Sequence, residues 1–272
     1  MYGDESQDSK KERVFAVGCL SGTDNQWSLL CEKWNQRLAG KVFHAADCES
    51  GRGEFKSTSL EENHRLHRSL TQILANSRIT GWGVAVDLAG RKQSFAETTA
   101  DQELISIFPL VVRFMAEKAA SQAPGETVTF IFDGHPTNEH LMKMLYSRVR
   151  TDTEWPWRTV LSEELLFASR REIGIQAADL WVRELMKRLD GHLHKVGYSP
   201  RPQWNVLEST KRFGADMQVA EYFADMKRKM PIMEKRVGVN AAEYRAWLKR
   251  KRRHDNQPNR LEYADFVLRM NR

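Results

Sequence analysis

The run Val128-Thr129-Phe130-Ile131-Phe132-Asp133 narrows the possible folds more than any other stretch of this chain. Alternating β-branched and aromatic residues make a short buried strand, which stops abruptly at an aspartate followed by Gly134. Open α/β sheets place their chemistry at the C-terminal mouths of such strands, so a carboxylate there draws notice. Aspartate is also a favoured turn residue, and Asp133 carries little weight until other acidic residues join it.

The rest of the chain supplies strands and helices in the right order. Arg13 to Leu20 and Gly81 to Leu88 read as strands, Met1 to Ser6 as the stub of another, and Arg158 to Leu161 as one more. Helical spacing of apolar residues follows Asp24, an expected N-cap, as far as Gly40. Further helices are expected after a cap at Ser59 or Thr58, over residues 101–121 with Pro109 inside, over 138–150, and over 172–189, where the pattern is apolar on most sides. The stretch from Ala45 to Phe55, with Gly51 and Gly53, reads as a mobile loop. Early strands followed by strand–helix alternation predict an α/β domain with mixed strand directions. Gly191, Gly197, Pro200 and Pro202 mark a linker near residue 195. Beyond it, helices are expected over 216–230 and 241–253, so the domains divide as 1–195 and 196–272.

Charge separates the two parts. From Arg201 onward there are 17 Lys+Arg against 9 Asp+Glu, a net of +8, which leaves −2 for the first 200 residues of a chain whose total is +6. Lys249, Arg250, Lys251, Arg252 and Arg253 form its densest run, and such a run suits a polyanion, most often nucleic acid. The same run would also serve as a solvated helix end. No apolar stretch reaches the ~18–20 residues of a membrane span, so a cytoplasmic protein is expected. Cys19, Cys31 and Cys48 have neither disulfide-framework nor zinc spacing.

Asp4, Asp47 and Asp133 follow strands, and Asp179 stands among small and apolar residues on the 172–189 helix. A buried carboxylate is costly unless compensated, and a salt bridge to Arg183 one turn on would suffice. Alternatively, carboxylates from several elements converge around divalent cations, as in phosphodiester cleavage by paired metals. His44, three residues before Asp47, is the preferred acid or base among the histidines. Arg52 and Lys56 in the glycine loop could touch a phosphate.

Asp4-Glu5-Ser6, Phe43-His44-Ala45-Ala46-Asp47 with Gly53-Glu54-Phe55, Ile131-Phe132-Asp133 and Gly174-Ile175-Gln176-Ala177-Ala178-Asp179-Leu180 succeed one another in a way that resembles a bacterial and phage family. That family is the domain of unknown function 3800, related to ribonuclease H-like folds. The resemblance covers residues 1 to about 190, and its most specific parts are the Asp-Glu-Ser start and the Gln-Ala-Ala-Asp-Leu helix. It implies an α/β fold with a ribonuclease H-like mixed sheet flanked by helices, to which the basic helical C-terminal extension is attached. It further implies that Asp4, Asp133 and Asp179 ligate Mg²⁺ or Mn²⁺, with Glu5 and Asp47 as secondary candidates. The expected activity is a metal-dependent nuclease or phosphodiester transfer on RNA or DNA. The alternative is a non-catalytic protein that keeps the fold and binds nucleic acid or a partner. One departure is the short lead: only Met1-Tyr2-Gly3 precede Asp4, and Gln7 stands where the family has glycine. Either neighbouring strands carry the sheet or the chain begins late. In the first case Tyr2 should pack into the core.

Overall fold

A computed structural model describes residues 1–237 apart from 9, 11, 96–99 and 135–137. Six strands form one mixed sheet: β1 (Tyr2–Gln7), β2 (Val14–Ser21), β3 (Thr80–Asp87), β4 (Ile131–Asp133), β5 (Leu166–Ala168) and β6 (Phe213–Gln218). Their spatial order is β5-β4-β1-β2-β3-β6. The β1-β2-β3 ribbon is antiparallel, while β4 runs parallel to β1, β5 to β4 and β6 to β3. Mixed strand directions were expected from the sequence, and the short β1 is flanked on both sides.

Both faces are covered. Alternate residues of β2 point opposite ways. Phe15 and Val17 join Val84, Val86 and Phe132 under α5 (Ala100–Gln122) and α6 (Glu139–Thr151). Val14, Ala16 and Leu20 face α1 (Asp24–Leu38), α3 (Leu60–Asn76) and α7 (Ile173–His194). This explains why β2 is an almost continuous apolar run: neither of its faces meets water. The smaller helices are α2 (Ala45–Ser50), α4 (Leu88–Ser94), α8 (Pro202–Ser209) and α9 (Ala220–Val237). Among the described residues no helix is long and apolar enough to cross a membrane.

Four local readings need correction. Thr23, not Asp24, caps α1, in a reciprocal box with Gln26; at α3 Ser59, and not Thr58, does the same with Glu62. Residues 45–55 are not a loose loop. Ala45 and Cys48 are buried, and Gly51 at φ 63° closes a short helix there. Arg158 to Leu161 is not a strand. Pro156 starts a 3₁₀ turn over Pro156–Val160, and only Leu161 bridges to Val128. Phe213–Gln218 is a strand although its Gly and Asp have poor strand propensity, because the edge of β3 supplies a full parallel ladder. The sheet therefore takes in a strand from beyond residue 195. The expected helix over 241–253 lies outside the described residues.

Close approach of α7 to the sheet depends on glycine. A Cβ on Gly18 would stand 2.9 Å from Trp181 Nε1, and one on Gly174 would stand 2.4 Å from the ring of Tyr2. Tyr2 itself packs edge-on against Trp27 with ring centroids 4.7 Å apart and is half-buried. Gly174→Ala should therefore destabilise the protein by about 1–3 kcal/mol through overpacking. In a Tyr2→Ala background the same change should cost much less. Denaturant melts of the four proteins in this cycle measure the coupling; additive costs would mean that the ring and the helix do not meet.

Candidate active site

Strand register brings two of the carboxylates together. Asp4 on β1 pairs with Gly18 on β2, and cross-strand partners share a face. The side chain that Gly18 lacks would meet Trp181 and Val182, so that face is the one covered by α7. On the other side of β1, Gly3 pairs with Phe132 in parallel register. Phe132 enters the core beneath α5, so by strand alternation Asp133 turns to the α7 side, as Asp4 does. Asp179 comes from α7 itself and is buried.

Asp4 feels the charges of the other two carboxylates. Burial pushes the Asp4 carboxyl well above the usual carboxylate range, and the charges of Asp179 and then Asp133 push it further the same way. The hydrogen bond that opposes this shift comes from the Glu5 N–H to Asp4 Oδ1, 2.7 Å. Asp179 is also raised, chiefly by burial, against the pull of His44 and of the Ala45 N–H, which donates to Asp179 Oδ2 at 2.7 Å. Ala45 is the first residue of α2, so that helix points an unsatisfied backbone donor at the carboxylate.

Arg170 supplies the cation beside Asp133. Its Nε donates to Asp133 Oδ2 at 3.1 Å, its side chain is 54% exposed, and its charge also acts on Asp4 and Asp179. Sequence reasoning passed over it. The available signal was a pair of arginines, Arg170 and Arg171, between a strand and the helix that carries Asp179. The salt bridge considered for Asp179 is not made: Arg183 Nη2 pairs with Glu49 Oε2 at 2.9 Å.

The remaining candidates are placed as follows. Glu5 alternates away from the trio, and its Oε1 accepts from Asn138 Nδ2 at 2.5 Å. Asp47 is partly exposed on α2, and its Oδ2 lies 2.9 Å from His44 Nδ1, near enough to pair but misaligned for a hydrogen bond. His44 stands at the N-cap of α2, within electrostatic reach of Asp179. Arg52 is exposed and donates through Nε to Ser50 Oγ, and Lys56 is exposed nearby. Lys249 to Arg253 lie outside the described residues.

Three carboxylates from β1, β4 and α7 thus share one face, two of them buried, with one half-exposed arginine beside them. Carboxylates gathered in this way repel one another when ionised, and a divalent cation would relieve that repulsion. The trio is open. Among the described residues, the group whose candidate ligand atoms all lie within 4.8 Å of one another is a different one, Glu49, His67 and Glu184. No family model, no curated protein and no solved structure was found to match the chain.

A carboxylate held against repulsion lowers stability at neutral pH. Because the folded pKa of Asp4 is raised, its contribution to stability is present below the unfolded value near 4 and is lost as pH rises through the folded value. Asp4→Asn should therefore stabilise the metal-free protein at pH 7 by about 1–3 kcal/mol and leave it nearly unchanged at pH 4. Thermal melts in a chelator at the two pH values test this. A destabilised Asp4→Asn at pH 7 would show that the carboxylate is compensated.

Proposed function

We propose that this chain is a metal-dependent phosphodiester hydrolase of ribonuclease H-like fold, acting on nucleic acid through Asp4, Asp133 and Asp179. The observation that carries the reading is the convergence of three aspartates from two strands and a helix on one face of the sheet. The central, parallel β1–β4 pair with an antiparallel β2 supports the finer fold assignment, as does the resemblance of the four quoted segments to the domain of unknown function 3800.

Asp4 and Asp179 would form the buried floor of a site for Mg²⁺ or Mn²⁺, with Asp133 at its rim. Divalent ions held there would supply an activated water and positive charge for the leaving oxygen. The chain's own groups would orient the substrate. Arg170 is exposed enough to turn its guanidinium from Asp133 to a phosphate, which it can hold through two parallel hydrogen bonds. His44, beside Asp47, is the group placed to hold or deliver a proton. Arg52 and Lys56 would add charge along the strand path. Lys249 to Arg253 would add sequence-independent affinity.

Calorimetric titration of the wild type with Mn²⁺ should show binding, and Asp133→Asn should weaken it at least about tenfold. Incubation with single- and double-stranded RNA and DNA then separates cleavage from mere binding. Absence of any divalent binding by the wild type removes the proposal. Metal binding and nucleic-acid binding without cleavage would favour the non-catalytic alternative. Neutralising Lys249 to Arg253 should weaken nucleic-acid binding and flatten its dependence on salt; an unchanged slope would leave that run as a solvated helix end.

A further inference from the structure

A second polar cluster lies deeper in the molecule, joining α2, α3, α7 and the residue before α8. His67 on α3 and Glu184 on α7 have no solvent exposure, and neither ring nitrogen of His67 nor either oxygen of Glu184 has an aligned hydrogen-bond partner. Their nearest approach is 3.3 Å, from His67 Nε2 to Glu184 Oε1. Glu49 on α2 is differently served. Arg201 Nη1 lies 2.5 Å from its Oε1, and Arg183 reaches its Oε2 through Nε at 3.0 Å and Nη2 at 2.9 Å. The Arg201 guanidinium also stands 3.3 Å from Glu184 Oε1, so it sits between the two glutamates where a metal ion bound by both would have to go. That makes the cluster a poor place for a divalent cation despite its ligand types.

Two buried groups that can each accept or donate, 3.3 Å apart and with no aligned hydrogen-bond partner, need one proton between them, and a small rotation of either side chain would align it. We propose that the acid form of Glu184 donates that proton to His67 Nε2, and that this neutral pair, with the Glu49–Arg183–Arg201 ion pairs, clamps α2 and α8 onto α7. The consequence reaches the aspartates. Glu49 lies on the short helix whose first N–H is held by Asp179, so the clamp fixes the donor that orients that carboxylate. The clamp itself does not depend on what the aspartates do.

Protonation follows the same division. Burial pushes Glu184 up to about 7 against the pull of Arg201, Arg183 and Lys187 and with the push of Glu49. Burial takes His67 down to about 4, with Glu49 opposing and Arg201, Arg183 and His64 assisting. For Glu49 burial is outweighed by Arg201 and Arg183, which hold it down near 2. Tyr198, from the segment before α8, faces Arg201 and Glu184. The signs are opposite for the two partners. Stability from Glu184 is present below its unfolded value and lost as pH rises through about 7; stability from His67 is lost as pH falls through about 4.

The test contrasts two glutamates of one cluster. Glu184→Gln keeps a neutral donor in the place of the acid, so its Tm at pH 6 should match the wild type and should not show the wild type's fall between pH 6 and 8. Glu49→Gln removes an ionised partner of two arginines, and its Tm should drop by on the order of 10 °C at both pH values. Long-range ¹H–¹⁵N spectra of the wild type at pH 6 should show His67 neutral with its proton on Nδ1. A Glu184→Gln protein that melts as low as Glu49→Gln at pH 6, or that fails to fold, overturns the proposal. So does a His67 that is cationic or protonated on Nε2 at pH 6. Zn²⁺, which is diamagnetic, added to the Asp133→Asn protein should leave the His67 ring resonances in place; their displacement there would make the cluster a metal site instead.

Discussion

Asp4 and Gly18 face each other across β1 and β2, and α7 lies against the gap that Gly18 leaves. Much of the candidate site follows from that contact. A side chain at Gly18 would hold Trp181 and Val182 off the sheet, and with them Asp179, two residues earlier on the same helix. Gly174 does the same at the start of α7, where it rests on Tyr2. The small residues around Asp179, Ala177 and Ala178, are fully buried and keep the separation short. Two buried carboxylates can meet only where backbone and small side chains leave room for them, and the core packed around them holds them there against their repulsion.

The same helix carries a second ionisable residue that is buried, Glu184, beside His67 of α3. The protein treats the two sites in opposite ways. At the aspartates the anions outnumber the cations, and the cation beside them, Arg170, is half exposed and able to move. At Glu184 the cations Arg183 and Arg201 lie inside the fold against Glu49 and Glu184, and the contacts are buried or nearly so. An excess of like charge at a mouth suits a ligand of opposite sign. Polar groups that find their partners in the interior suit structure. The short helix α2 touches both, giving its first N–H to Asp179 and its Glu49 to the arginines.

Several elements were legible because their signals are local. Capping ahead of α3, the apolar stripe of that helix, the all-apolar β2 and the mostly buried α7 depend on residues close in sequence, and each was read correctly. The misread segments had signals that were weak or mixed. Phe213–Gln218 lacks strand propensity and is a strand because β3 offers it a ladder; Arg158–Val160 has the residues of a strand, but Pro156 and the buried Trp155 wind it into a 3₁₀ turn. Ala45–Phe55 looked mobile from its glycines, yet Gly51 ends a helix held from outside by Asp179.

The candidate residues divide in the same way. Asp133 at a strand end and Asp179 among alanines could be picked out in the sequence, because a charge next to buried apolar residues is conspicuous wherever it stands. Their placement on one face with Asp4 required the parallel register of β1 with β4 and the crossing of α7, both set by contacts between residues more than a hundred positions apart. Glu49, His67 and Glu184 were invisible for a related reason. Charged residues on amphipathic helices look solvated, and only packing among α2, α3 and α7 decides which of them are buried together. The sequence by itself determined the strands and helices whose periodicity is local, and the acidic residues that interrupt them. The tertiary structure alone decided which charges meet, because burial is a property of several elements at once.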